Sequence, residues 1–231
     1  MTYLVAQVCR KDSKRLAGSV AQHSVPTHIS SPGTTRMTLA ASPTYPPTLS
    51  VVQYPHPALR KVAQDVTVFD DALRDFCERM FICMENAKGI GLAAPQVAVS
   101  KRIFITDHAR REEGQSDRRV WINPRIEQAV GTTAYEEGCL SFPGMYAKVA
   151  RCDRFDIVFQ DVWGAQQRMS LDVSAGDFLG VVVQHELDHL LGKVFVDYLS
   201  EAQLGLIRKR LREMEKDFHH MTGKAGSILR R

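Results

Sequence analysis

The stretch QHELDH, from Gln184 to His189, combines residue types that form hydrolytic metal sites. On a helix, residues four apart lie on one face with Cβ atoms roughly 6 Å apart, so His185 and His189 can direct their imidazole rings at one cation. Glu186 is rotated by about 100° from His185, which places its carboxylate beside that cation, where it can deprotonate a bound water. The spacing therefore predicts a divalent metal held by two histidines, with a glutamate as general base.

Two histidines leave a coordination sphere incomplete, and Cys139 is the candidate for the third ligand. In YEEGCLSFPG, from Tyr135 to Gly144, it stands between a glycine and a turn-prone segment, where its side chain could be exposed at a strand end. A thiolate and two imidazoles bind Zn²⁺ or Fe²⁺ and leave a fourth position for water. The alternative is that Cys139 is a small buried hydrophobe, the usual fate of a free cysteine.

Other residues of these types carry weaker signals. Asp188 either orients a metal ligand from outside or is a solvent-facing charge. Cys77 and Cys83 fall within an amphipathic helical pattern, which favours a place in the core. The polar context of Cys152 indicates no function.

The periodicity of apolar residues predicts the elements that must hold these side chains. Between Arg102 and Asp161 the sequence has short β-rich runs separated by Gly, Pro and Asn. Helical patterns lie before and after them, because apolar residues there recur at steps of three and four. The predicted helices run from Asp70 or Asp71 to a stop at Gly89, from Ser174 to Leu191, and from about Ser200 through Phe218. This order predicts an α+β fold in a single domain, with mainly antiparallel β-strands packed around a central metal-binding helix and with N- and C-terminal helices.

Composition separates the two ends of the chain from its body. Residues 1–47 lack periodicity and are rich in Ser, Thr, Pro and Ala, so we expect a disordered leader or a mis-set start, with Met37 as the alternative start. An organelle transit peptide is a third reading, because the segment is basic and almost free of acids. We expect one folded domain over residues 48–222 and a flexible basic tail over residues 223–231.

The net charge of +4 is spread unevenly. Residues 1–47 carry five Lys or Arg against one Asp, and residues 208–231 carry eight basic and three acidic groups, so the stretch between them is acidic. A groove for sequence-specific nucleic-acid recognition would place positive charge on the folded body, so we expect no such partner. No apolar run approaches the roughly 20 residues of a membrane span, and we expect no membrane partner. Five cysteines without paired spacing indicate a reducing compartment.

Three motifs together resemble those of the peptide deformylase family. They are GIGLAAPQ from Gly89 to Gln96, EGCLS from Glu137 to Ser141, and QHELDH, in the family's order and at similar spacing. The resemblance covers roughly residues 49–218 and makes residues 48–222 a deformylase-like catalytic domain. It implies a metal-dependent hydrolase that removes the N-formyl group from N-formylmethionyl nascent polypeptides and releases formate, with metal-bound water as the nucleophile.

The resemblance also implies a role for each motif residue. Glu186 is the general base and then the general acid, while the side-chain amide of Gln96 and the backbone N–H of Leu140 stabilise the oxyanion. One divalent metal per chain is expected, with Fe²⁺ as the physiological ion and Zn²⁺ or Ni²⁺ as alternatives, because the same ligands accept all three. The metal ligands implied are Cys139, His185 and His189.

Substrate contacts are expected from both sides of the metal helix. Gly91 and Gly89 would let backbone approach the peptide, and Val182 and Phe178 would line an apolar slot for the methionine side chain, with the core as the alternative place for both. Many bacterial members have an arginine seven residues after the metal cysteine, where this chain has Tyr146. Lys148 or Arg151 could compensate for that change, or the substrate contacts could be weaker.

Two other functions compete with this interpretation. A zinc endopeptidase of the His-Glu-x-x-His type would take its third ligand downstream, where Glu201, His219 and His220 are the candidates. A catalytically silent peptide- or ribosome-binding module would lack Glu186 or Gln96, and both are present. The basic C-terminal helix suggests attraction to the ribosome. We expect a cytoplasmic protein, with organellar import as the lesser possibility.

Overall fold

The structure is a computed structural model that describes residues 44–108 and 116–226. Mixed helix and antiparallel sheet confirm the predicted α+β fold. The helices in the described part are α1 (Asp71–Asn86), α2 (Phe178–Leu190) and α3 (Glu201–Thr222). The strands are β1 (Gly91–Ala93), β2 (Ile103–Asp107), β3 (Arg118–Val130), β4 (Thr133–Cys139), β5 (Phe142–Arg151), β6 (Arg154–Gln160) and β7 (Gln166–Asp172).

Helix α2 lies against the sheet and forms the centre of the molecule. Five strands make one antiparallel sheet in the order β1-β2-β3-β6-β7, while β4 and β5 form a separate hairpin. Eleven of the thirteen residues of α2 are buried, which is expected of a helix that is apolar on most sides. Val181 and Val183 pack with Trp121 and Phe104 of the sheet, so α2 is held firmly from that side.

The other two helices close the ends of the core. Helix α1 begins after Asp70, whose side chain accepts the Leu73 N–H, and its buried face packs on β1 and β2. Helix α3 begins after Ser200, as predicted, with a capping box between Ser200 and Gln203. Its buried residues are Leu211, Met214 and Phe218, of which Leu211 and Met214 pack with the hairpin.

Two helix boundaries differ from the prediction. Helix α2 begins at Phe178 instead of Ser174, because Gly176 has a φ of 94° and so interrupts the helical conformation before it. Helix α1 ends at Asn86, three residues before the predicted stop at Gly89, because Lys88 already takes the left-handed conformation with a φ of 57°.

Strand β7 lies beyond the range in which the sequence predicted strands. It is the edge strand of the sheet, and polar and apolar residues alternate only over the short run from Arg168 to Asp172, with Leu171 as its buried residue. Such polar edge strands are recognised by their pairing, which in this case is a continuous register with β6.

Packing begins before the predicted domain boundary at residue 48. Tyr45 stacks on Phe76 of α1 with ring centroids 4.3 Å apart. Residues 1–43 of the predicted leader and residues 227–231 of the predicted tail lie outside the described residues. No helix in the described part is both long and apolar enough to cross a membrane.

Candidate metal centre

Helix α2 and the β4–β5 hairpin bring three potential metal ligands together. Cys139, His185 and His189 each offer one ligand atom, and these atoms lie within 4.8 Å of one another. Cys139 Sγ is 3.4 Å from His189 Nε2, and the two imidazole rings have centroids 5.1 Å apart. A thiolate and two imidazoles are donors that Zn²⁺, Fe²⁺ and Ni²⁺ accept, so the residues fit a divalent transition metal.

The hairpin turn places Cys139 at the end of β4. Leu140 and Ser141 form the turn, and the backbone N–H of Tyr54 donates to the Ser141 carbonyl at 2.9 Å. Cys139 is half-buried at this strand end, as its position in the sequence suggested. The turn therefore presents the sulfur to the two histidines of α2.

Gln96 connects the first motif to this turn. Its Oε1 accepts the Ala93 N–H at 2.8 Å, so its Nε2 donates to Cys139 Sγ at 3.5 Å and to Ser141 Oγ at 3.3 Å. Gln96 is fully buried, and the amide is held in this direction by the short helical turn Ala94–Val97. The amide thus lies next to one of the three potential ligands.

His185 is oriented by a buried carboxylate that the sequence analysis did not single out. Its Nδ1 lies 2.9 Å from Glu137 Oε2, which leaves Nε2 to face the other ligands. Arg151 donates to both oxygens of Glu137, at 2.6 and 2.7 Å. Burial raises the pKa of Glu137, but the hydrogen bonds from Arg151 and His185 outweigh it and lower the pKa to about 2. Glu137 is therefore a carboxylate that accepts the His185 N–H.

Asp188 lies beyond this pair and is not a solvent-facing charge. It is buried, and its Oδ2 accepts a hydrogen bond from Arg151 at 2.6 Å. The hydroxyl of Tyr198 donates to its Oδ1 at 2.8 Å. Asp188 is thus connected to the potential ligand His185 through Arg151 and Glu137, and its burial excludes a solvent-facing charge.

Glu186 lies beside the potential ligands, and one of its carboxylate oxygens has no hydrogen-bond partner among the described residues. That oxygen is Oε2, and the residue is buried. Burial raises the pKa of Glu186 from 4.5 to about 7, although the neighbouring His185 opposes the shift. A Cβ atom at Gly91 would lie 2.5 Å from Glu186 Oε1, so the glycine is required for the carboxylate to lie where it does.

A cleft of about 990 Å³ opens onto these residues. It is lined from the first motif, the hairpin and helix α2. The predicted substrate-binding residues that line it are Gly89, Gly91, Tyr146, Phe178 and Val182. Leu140, Gln96, His185 and Glu186 also line it. The sequence pattern had therefore identified residues from each wall of one cleft.

Tyr146 stands where many bacterial relatives have an arginine. The two basic residues that could compensate for it, Lys148 and Arg151, lie in different surroundings. The side chain of Tyr146 is 67% exposed and lies over Gly138, where an added Cβ would be 2.7 Å from its ring. Arg151 cannot take the place of the missing arginine, because it is buried and bound to Glu137 and Asp188. Lys148 is exposed on the same face of β5 as Tyr146 and lies outside the residues that line the cleft.

The ligands that an endopeptidase would need lie elsewhere. Glu201 is exposed at the start of α3 and pairs with Arg208 at 3.3 Å. His219 and His220 are exposed at the end of α3. Within the described residues, the metal-ligand group therefore takes its third member from Cys139.

The remaining cysteines of the described part belong to the core. Cys77 and Cys83 are buried in α1, and burial raises the pKa of Cys77 to about 12 and also raises that of Cys83. Cys152 is buried beside Gln184, whose side-chain oxygen accepts the Cys152 N–H at 2.7 Å. This placement agrees with the predicted structural roles of Cys77 and Cys83.

Three residues near the potential ligands could not be assigned a role as their partners from the sequence. They are Glu137, Arg151 and Tyr198. Glu137 had a detectable signal, because residues two apart on a strand face the same side and Glu137 is two residues before Cys139. Arg151 and Tyr198 are far from the potential ligands along the chain, so the sequence contained no signal of their proximity.

Comparison with known proteins identifies the family. A family model described as polypeptide deformylase matches residues 48–204. A peptide deformylase of Chromobacterium violaceum is 44% identical over 168 residues, which cover 73% of this chain and 96% of that protein. The chloroplastic peptide deformylase 1B of Oryza sativa subsp. japonica is 40% identical over 186 residues, covering 80% of this chain and 67% of that protein.

Solved structures agree with the sequence relatives. The crystal structure of a plant peptide deformylase superposes with a TM-score of 0.75 at 33% identity, over 82% of this chain and all of that one. The deformylase of Plasmodium falciparum gives a TM-score of 0.69 at 36% identity, over 75% of this chain and 99% of that one. The fold, the ligand cluster and these relatives agree with the three sequence motifs, and the chain belongs to the peptide deformylase family.

Proposed function

We propose that Cys139, His185 and His189 form the centre at which this chain removes the N-formyl group of N-formylmethionyl nascent polypeptides. The reaction cleaves the formamide C–N bond, releases formate and leaves a free N-terminal amine. One observation carries the proposal: three donor atoms within 4.8 Å of one another lie beside the buried carboxylate of Glu186 on a cleft of about 990 Å³.

Glu186 is the residue that moves the proton. When bound by the three ligands, a divalent metal ion lowers the pKa of a water molecule and polarises the formyl oxygen. Glu186 accepts the proton of the attacking water at Oε2, which has no partner among the described residues, and delivers it to the leaving nitrogen.

Gln96 and Leu140 stabilise the negative charge that develops on the formyl oxygen. Because Oε1 of Gln96 is occupied by the Ala93 N–H, its Nε2 is the group that faces the centre beside Cys139. Leu140 follows Cys139 directly in the hairpin turn, so its backbone N–H is close to the same point. Fixed donors of this kind need no reorganisation during the reaction.

The cleft offers separate surfaces for the side chain and the backbone of the substrate. Val182 and Phe178 line it on the α2 side and form the apolar slot for the methionine side chain. Gly89 and Gly91 bring backbone to the cleft, with Gly91 directly beside Val182. Tyr146 contributes an exposed aromatic ring where many bacterial relatives have an arginine, so it contacts the peptide by packing instead of by charge.

Iron is the metal that we propose for this centre, on the basis of the family resemblance. The ligand set accepts Fe²⁺, Zn²⁺ and Ni²⁺ alike. Metal-free protein would be reconstituted with each ion in the absence of oxygen, and the rates of formate release would be compared. Activity with Zn²⁺ alone would contradict the proposal that iron is the metal of this centre.

The substrate of this family occurs where nascent chains are made. We propose that it acts in the cytoplasm, with import into an organelle as the alternative, since relatives include both bacterial and chloroplastic proteins. Helix α3 supports docking at the ribosome, because its solvent face carries exposed basic side chains. Fluorescent tagging of the complete chain in its own cells would separate the two compartments.

Glu186→Gln tests the proposed reaction most directly. The amide is nearly isosteric and cannot accept a proton, so we expect formate release from a formyl-methionyl peptide to fall by at least about 10²-fold. Bound metal, measured in the same preparation, should remain at the wild-type level. Retention of more than about a tenth of the wild-type rate would exclude Glu186 as the general base.

A further inference from the structure

A line of polar contacts runs from His185 to a tyrosine that the proposed reaction does not use. Glu137 holds His185, Arg151 holds Glu137, and Asp188 holds Arg151. The line ends at Tyr198, whose hydroxyl donates to Asp188 Oδ1 at 2.8 Å. We infer that Tyr198 is a positioning residue for the metal centre and acts on His185 through these three residues; this inference rests on the proposed metal site.

The charges of the cluster explain why a neutral donor is needed at its end. Arg151 lies between two buried carboxylates and is itself 3% exposed. One guanidinium cannot neutralise two carboxylates, so the group retains a net negative charge in a medium that solvates it poorly. The hydroxyl of Tyr198 supplies a hydrogen bond to the second oxygen of Asp188, which lowers the cost of that charge.

Contacts other than its hydrogen bond to Asp188 also hold Tyr198 in place. It is the last residue of the short helical turn Phe195–Tyr198, and the preceding Asp197 binds Arg60 through two contacts of 2.5 and 2.7 Å. The guanidinium carbon of Arg151 lies 5.3 Å from the centre of the Tyr198 ring, which adds a cation–π contact. Asp188 therefore meets a donor whose backbone is held by the Asp197–Arg60 pair and whose ring is held by Arg151.

Tyr198 lies away from the substrate. It lines a second cavity of about 260 Å³, together with Leu187 and Ile126, whereas it is absent from the lining of the large cleft. Leu187 belongs to α2, so this cavity adjoins the same helix from a side that the large cleft does not reach. Tyr198 therefore does not act from the substrate cleft, and its printed contacts lead to His185 through Asp188, Arg151 and Glu137.

Tyr198→Phe tests this inference because it removes the hydroxyl and keeps the ring. The complete chain, loaded with Co²⁺ as the probe metal, would be mixed with excess chelator, and the rate of metal release and the visible cobalt–thiolate absorption would be recorded. We expect release about 10-fold faster than wild type, at the lower end of the range for outer partners of metal ligands, with an altered cobalt spectrum.

Tyr54→Phe is the matched control. Tyr54 is also a buried tyrosine whose hydroxyl donates to a carboxylate, that of Glu215 on α3, and this hydroxyl is outside the cluster around Arg151. The substitution keeps the backbone N–H that donates to Ser141 in the Cys139 turn. The Tyr54→Phe variant should lose about as much thermal stability as Tyr198→Phe. Its rate of metal release and its cobalt spectrum should be those of the wild type. Asp188→Asn is a second variant and should accelerate release in the same direction.

Three results would overturn the inference. Release at the wild-type rate in both Tyr198→Phe and Asp188→Asn would show that the cluster only stabilises the fold. Equal acceleration in Tyr198→Phe and Tyr54→Phe would show a general loss of stability. A wild-type protein without a cobalt–thiolate band would instead remove the metal site, and with it both the proposed function and this inference.

Discussion

The position of the Glu186 carboxylate depends on the lack of a side chain at Gly91. A Cβ at this position would lie 2.5 Å from Glu186 Oε1 and 2.8 Å from Val182 Cγ1. Real atoms do not approach so closely, and α2 cannot retreat because it is packed against the sheet. The first motif thus needs a glycine here to leave room for the proposed general base.

Gly91→Ala should displace the Glu186 carboxylate and lower the rate of formate release by at least about 10-fold, because small misplacements of a catalytic group are costly. Metal content should stay at the wild-type level, since the three ligands are untouched. Gly205→Ala is the control: it lies on exposed α3 with no atom near its Cβ position, and should stabilise by roughly 0.5–1 kcal/mol without changing activity. A wild-type rate in Gly91→Ala would mean that the carboxylate has more freedom than this packing allows.

At the scale of elements, helix α1 is partly covered by residues from the predicted leader. Tyr45 stacks on Phe76 with an angle of 12° between the rings, and burial raises the pKa of its hydroxyl to about 12. That hydroxyl has no hydrogen-bond partner among the described residues. The ring therefore stabilises the helix while the hydroxyl adds nothing to the contact.

Replacement of Tyr45 separates these two contributions. Tyr45→Ala removes the stacked ring and should lower the free energy of unfolding by about 1–2 kcal/mol, as measured by urea denaturation. Tyr45→Phe keeps the ring and removes an unpartnered hydroxyl, so its stability should equal or exceed that of the wild type. Equal stability of all three proteins would show that the segment before residue 48 does not pack on α1 in solution.

At the scale of the whole molecule, the basic face of α3 is separated from the active site. Lys209, Arg212 and Lys216 recur at steps of three and four, on the side of the helix opposite the buried Leu211, Met214 and Phe218. All three are exposed, and the structure gives them no ion pair with the described residues, whereas Arg208 and Arg210 pair with acidic residues. This face can approach a polyanion without disturbing the cleft.

Changing Lys209, Arg212 and Lys216 together to Gln should weaken co-sedimentation with ribosomes at low salt, because phosphate contacts that release counterions are lost. Hydrolysis of a free formyl-methionyl peptide should be unchanged. The control removes the same charge elsewhere, by changing Lys61, Lys101 and Lys193 to Gln, and should co-sediment like the wild type. Equal weakening in both variants would point to net charge alone, and no weakening in either would leave α3 as a solvated surface.

The sequence was sufficient to predict the family, the α+β fold and the two histidines of the ligand cluster, because motifs and periodicity are local information. Two histidines four apart with a glutamate between them have a fixed relation on any helix, so their chemistry could be inferred from spacing. The third ligand needed the resemblance, because Cys139 lies 46 residues before His185 and no local rule relates a hairpin turn to a helix. Helix ends were predicted less well, since Lys88 and Gly176 depart from helical geometry in ways that periodicity does not record.

Only the tertiary structure decided which charges support the centre. Arg151 was a possible substrate contact in the sequence, and it proved to be buried between Glu137 and Asp188. Asp188 had two equally open interpretations, which its contact with Tyr198 resolved. The physical reason is that the stability of a buried charge depends on partners brought by other elements, and those partners come from the hairpin, α2 and the turn before α3, which are far apart in the chain.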